Sequence, residues 1–161
     1  MRHIIATIVL GLTISIAGAK TPTASNVLST LDKSHPRLML KDAGLKKLKA
    51  LCKTDKALQK CVADTIKYAD SCLKKSPLVY KKIGPRLLGV SRDCLRRTYA
   101  LSLAWRWTGE KKYADQAIKN LLAVCAFKNW NPSHYLDTAE MSHAVGLGYD
   151  WLYPQIDEAT G

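Results

Sequence analysis

Apolar residues recur every three or four positions through successive stretches of this chain, and no run alternates as a half-buried strand would. Leu45, Leu48 and Leu51 form one such set, and Leu58, Val62, Ile66, Ala69 and Leu73 a second. Leu95, Tyr99 and Leu103 continue the pattern, as do Tyr113, Ala117, Leu121 and Val124 or Cys125. This period matches the 3.6-residue turn of an α-helix and predicts an all-α fold. Helices are expected from a cap at Asp42, over about Asp55 to Lys75, from a cap at Ser91 through Trp107, and over about Lys111 to Ala126. A last one is expected from near Asp137 to Trp151 or Tyr153, with Asp137 and Glu140 at capping-box-like spacing.

The punctuation between these stretches agrees with them. Thr108-Gly109-Glu110 is a helix stop, glycine being favoured just past a helix end, so the two flanking helices form a hairpin. Pro77, Gly84, Pro85 and Gly89 mark a loop over 76–90, with room for a short strand around Leu78 to Lys81. Phe127 to Tyr135 is a second irregular stretch. Gly146 and Gly148 lie inside the last helix, where glycine costs about 1 kcal/mol against alanine, and predict close backbone packing there.

The first residues address the chain. Arg2 and His3 precede an almost uninterrupted apolar run from Ile4 to Ala17, and Ala17-Gly18-Ala19 offers the small residues of a cleavage site. The run is short for a membrane span, which needs about 20 residues. Residues 1–19 are therefore expected to be a signal peptide, with export to the periplasm or outside and no stable membrane span afterwards. Residues 20–34 are rich in Thr, Ser and Pro and read as a flexible leader. The formal charge of +12 would draw acidic polymers by long-range electrostatics. No nucleic-acid motif accompanies it, so nucleic acid is not an expected partner.

Five cysteines in an exported chain raise the matter of disulfides. Cys61 and Cys72 stand about 16 Å apart along one helix, against the roughly 7 Å a disulfide allows. Cys52–Cys61 is the most feasible local bridge, and the remaining cysteines read mostly as small core residues. No cysteine or histidine spacing fits zinc, so neither metal nor cofactor is expected.

Three stretches carry a resemblance. The first is His35-Pro36-Arg37-Leu38-Met39-Leu40. The second is Ser91-Arg92-Asp93-Cys94-Leu95-Arg96-Arg97, running on through Leu101 to Gly109 and Lys112 to Asp115. The third is Trp130-Asn131-Pro132-Ser133-His134-Tyr135-Leu136-Asp137-Thr138-Ala139-Glu140-Met141, closing on Gly148-Tyr149-Asp150-Trp151-Leu152-Tyr153. Together they resemble the N-terminal region of the heparinase II/III-like, alginate-lyase-like polysaccharide lyases. The resemblance implies helical hairpins forming part of an incomplete α/α toroid over 35–161, and β-elimination at a uronic-acid residue by the whole protein. It transfers no catalytic role to a numbered residue of this chain. The catalytic groups are expected past Gly161, in the remaining C-terminal part of the same protein.

Asn131, His134 and Tyr135 stand in a loop leading into a helix, a common setting for ligand contacts. They are the candidate binding residues for an acidic polysaccharide or oligosaccharide, with Trp130 able to stack on a sugar ring. A structural reading stands beside this one. In it Asn131 and Ser133 satisfy the loop backbone while Trp130 and Tyr135 fill the core. The competing functional classes are a noncatalytic carbohydrate-binding protein and a helical-repeat scaffold. Against the scaffold, no 34-residue self-similarity links the helices.

Overall fold

The computed structural model describes residues 23–156, so the expected signal peptide lies outside the described residues. Contacts divide the chain after Asp32 into two units. In the first, the stretch expected to be a flexible leader holds one short helix, α1 (Ala24–Leu28), which starts where the Thr23 carbonyl accepts from the Val27 N–H at 3.0 Å.

The second unit is built from α2 (Asp42–Leu51), α3 (Lys56–Leu73), α4 (Leu88–Thr108), α5 (Lys111–Cys125) and α6 (Tyr135–Leu152), with a 3₁₀ turn over Tyr153–Gln155. Five helices thus stand where apolar periodicity predicts them. Asp55 caps α3, its carboxylate accepting from the Leu58 N–H at 2.9 Å. Gly109 ends α4 with φ 81°, a left-handed conformation that glycine adopts without a Cβ clash, and its N–H donates to the Trp105 carbonyl at 2.7 Å.

Helix α4 is the spine of this unit. Lys75 lies beside Asp93, Tyr68 beside Arg96, and Ile66 packs in the core that holds Ala104, so α3 runs antiparallel to α4. Along α6 the pairs rise together: Leu87 with Asp137, Arg92 with Glu140, Tyr99 with His143, Arg106 with Trp151. Helices α4 and α6 are therefore parallel neighbours, with α5 returning antiparallel between their register. The core uses small residues so that backbones approach closely. Ala100, Ala104, Ala114 and Ala117 surround Leu101, Tyr113 and Leu121 in one cluster, and Leu78, Cys94, Val124, Met141 and Ala144 make a second. A Cβ added at Gly148 would meet Leu121 Cδ1 at 2.6 Å and Thr98 Cγ2 at 3.0 Å, whereas one at Gly146 would meet nothing within 4 Å. The close packing expected of both glycines belongs to Gly148 alone.

Several local expectations are corrected. Asp42 is the first helical residue of α2 and caps nothing; Lys41 holds the cap position, and the Asp42 carboxylate pairs with Arg106 at 2.9 Å instead. Helix α4 begins three residues before Ser91, which is buried inside it. Asp137 does not cap α6, because His134 stands at that position and the Asp137 carboxylate is drawn to other elements. No strand forms over 78–81: Leu78 is buried in the second cluster, and a single bridge joins Ile83 and Arg86 across Gly84 at φ 56°. All five cysteines are free, Cys52 and Cys61 included, and only Cys72 and Cys94 are buried. Cys61 is exposed on α3, and the expected Cys52–Cys61 bridge is not formed.

Candidate functional site

Two buried carboxylates on α6 hold the irregular segments in place. Asp137 accepts from the Leu87 N–H at 2.7 Å, Asn131 Nδ2 at 2.7 Å and Arg86 Nε at 3.2 Å. Burial alone would push its carboxyl up, but these donors outweigh that and hold it below the usual carboxylate value. One carboxylate thus ties the start of α4, the 76–87 loop and the 127–134 loop together. Its negative charge also lies at the N-terminal end of α4, where the helix dipole favours it.

Asp150 does the same work at the other end of α6, about 20 Å away by helical rise. It accepts from His35 Nδ1 at 2.7 Å, from the Arg37 N–H at 3.0 Å and from the Leu38 N–H at 2.8 Å. Burial again raises its pKa, and the three donors outweigh that rise, for a net downward shift. His35 stacks on Tyr153 with ring centroids 4.0 Å apart, and Trp151 Nε1 donates to the Leu38 carbonyl at 3.1 Å. The segment His35 to Leu40 is a strap, fastened to α6 by backbone donors.

The three candidate binding residues part company. Asn131 is 3% exposed, in a left-handed conformation with φ 60°. Its amide donates to Asp137 and to the Pro85 carbonyl at 2.8 Å, while its carbonyl oxygen accepts from Lys82 Nζ at 2.9 Å. Its polar atoms are spent on holding the loop. His134 is half-buried, and its backbone starts α6, donating to the Asn131 carbonyl and accepting from the Asp137 N–H. Tyr135 is 88% exposed and fills no core. Trp130 packs on the second cluster and donates Nε1 to the Val124 carbonyl at 2.9 Å. Asn131 and Trp130 follow the structural reading, and Tyr135 remains available at the surface.

A different set of side chains gathers on the open side of α4 and α6, where their parallel packing brings together residues far apart in sequence. Tyr99 Oη lies 2.8 Å from His143 Nε2 and 3.1 Å from Met39 Sδ. Burial raises the Tyr99 pKa, so the phenol stays protonated near neutrality. One proton serves two acceptors. When His143 Nε2 is bare the phenol donates to it, and when Nε2 carries hydrogen the imidazole donates to the phenol oxygen and frees that proton for Met39. About two helical turns towards the start of α4, Arg92 Nε donates to Glu140 at 3.1 Å.

Tyr99 also forms a wall of a groove of about 580 Å³ between α3 and α4, a size within the usual range for a small-molecule site. Leu95, Ala100 and Leu103 give it an apolar floor, and Tyr68 and Arg96 stand at its rim. The Arg96 guanidinium lies over the Tyr68 ring, 5.4 Å from its centroid. Tyr99 and His143 are 44 residues apart. The pairing becomes visible only once α4 and α6 are laid parallel in register.

Compared with known proteins, the chain matches no protein-family model, and a search of curated proteins returns no match.

Proposed function

We propose that this chain is the N-terminal segment of an exported polysaccharide lyase that cleaves a uronic-acid-containing polymer by β-elimination. The observation that carries the reading furthest is the exposed face shared by α4 and α6, where Arg92, Arg96, Tyr99 and His143 stand on one side of a parallel helix pair. Cationic and aromatic groups on such a face suit a sugar polymer that bears carboxylates. In an α/α toroid, α4 and α6 would be inner helices and α5 an outer one, so that this face would look into the central cleft. The three sequence stretches that resemble heparinase II/III-like lyases support the same arrangement.

The chemistry of such an enzyme is demanding at one atom. A base takes the proton from C5, the C4–O bond breaks as the C4–C5 double bond forms, and an acid returns a proton to the departing O4. The proton leaves a carbon next to a carboxylate, and the step proceeds only when the charge developing there is stabilised. The reading gives this chain a wall of the groove and places the acid and base in sequence that follows it.

The test is incubation of the full-length protein with alginate and with glycosaminoglycans while following the ultraviolet absorbance of the unsaturated uronate product. Steady growth of that absorbance supports the reading. Binding of the polymers with no product on any of them would favour a noncatalytic carbohydrate-binding protein, a role for which the same face is suited.

A further inference from the structure

Arg96 differs from the other arginines around it. Arg86 is paired with Asp137, Arg92 with Glu140, Arg97 with Asp93 and Arg106 with Asp42. Arg96 is exposed and has no carboxylate partner among the described residues; its guanidinium rests instead on the face of Tyr68. A cation–π contact of this kind leaves the N–H fork of the guanidinium free to donate. The acid in the same groove, Asp64, is already bound to Lys60 at 2.8 Å. A guanidinium with no acid partner among the described residues thus stands at the edge of a groove lined by Leu95, Ala100 and Leu103.

We propose that the α3–α4 groove is a subsite for a single carboxylate-bearing pyranose residue. Arg96 takes the carboxylate through its fork of N–H donors. The C–H face of the ring lies on Leu95, Ala100 and Leu103, and the Tyr99 phenol, steadied by His143, reads a ring hydroxyl as donor or acceptor. The geometry assigns the three kinds of contact a charged sugar needs to three sides of one groove. A neutral sugar would leave Arg96 unanswered, and a simple carboxylate would leave the floor bare. This subsite deepens the lyase reading and rests on it for the choice of a sugar acid over other organic acids.

The experiment is calorimetric titration of the full-length protein with trigalacturonate and with its methyl ester, repeated on Arg96→Gln, Tyr99→Phe and Lys119→Gln. Lys119 is an exposed lysine of α5 outside the groove and controls for the loss of one positive charge. Arg96→Gln should weaken trigalacturonate binding roughly ten- to a hundredfold, the effect of losing one charge-assisted contact. Tyr99→Phe should weaken it by about three- to tenfold, as for a neutral hydrogen bond. Lys119→Gln should bind like the wild type, and the methyl ester should bind more weakly than the free acid. Circular dichroism checks that each variant keeps its helices. Equal affinity for acid and ester would overturn the proposal, as would an Arg96→Gln protein that binds like wild type, or an equal loss in Lys119→Gln. Turnover separates the two ideas. Product release that is untouched in Arg96→Gln sinks the subsite and leaves the lyase standing. Arg96-dependent binding without product does the reverse.

Discussion

Removing the Asp137 carboxylate should be among the costliest single truncations on α6. In Asp137→Ala the Leu87 N–H and Asn131 Nδ2 lose a partner that is itself fully buried. Each buried donor left without an acceptor costs about 1–3 kcal/mol, so the expected loss is about 2–6 kcal/mol. Arg86, the third donor, is partly exposed and adds little, because water replaces the lost contact. With a urea slope of about 2 kcal/mol/M for a domain of this size, the unfolding midpoint should fall by about 1–3 M. The measurement is urea unfolding followed by circular dichroism at 222 nm for wild type and variant, over a series of pH values. The folded-state pKa of Asp137 is depressed, so its contribution is complete above the unfolded value of about 3.9 and is lost as pH falls through the folded value. The gap between the two proteins should hold steady from about pH 8 to pH 5 and narrow below about pH 4. A destabilisation under about 1 kcal/mol would refute the account, and so would a gap that widens in acid.

Three further outcomes follow from the packing. Gly148→Ala should lower stability by about 1–3 kcal/mol because its Cβ runs into Leu121, while Gly146→Ala should be neutral or raise it by up to about 1 kcal/mol; thermal melts of the two side by side decide this. Asn120→Leu should be neutral or stabilising, since both amide atoms of Asn120 are buried with no partner among the described residues, and a large drop in melting temperature would contradict it. Burial pushes the Cys94 thiol up to about 11, and Cys61 is exposed. Iodoacetamide at pH 8, read by peptide mass spectrometry, should therefore label Cys61 in the folded protein and Cys94 only after unfolding.

The helices were legible in the sequence because their signal is local. An apolar residue every three or four positions fixes one face of a helix, whatever lies opposite, and Gly109 ends α4 through its own φ. The caps were less legible. Asp55 behaves as its position suggests, but Asp42 and Asp137 do not, because a short carboxylate takes the strongest donors within reach and the sequence shows only the nearest ones; Ser91 is simply enclosed by a helix that begins three residues earlier. Asp42 finds Arg106, and Asp137 finds Leu87 and Asn131. With its N–H satisfied from α6, Leu87 can open α4 without a polar cap of its own.

The candidate site divides in the same way. Asn131 was visible as a polar residue in a loop, and its neighbours decided that it would hold the loop together. The sequence placed Tyr99, Arg96 and His143 on helices but could not pair them, since one turn of a helix gives no sign of which helix will lie beside it. By itself the sequence determined an all-α chain with hairpin-forming stops, because helical periodicity and glycine φ are properties of adjacent residues. Only the tertiary structure decided that α4 and α6 lie parallel, that two aspartates fasten the loops, and that Arg96, unlike the arginines near it, has no acid partner among the described residues. Those are pairings across tens of residues, chosen by which buried groups can satisfy one another at once.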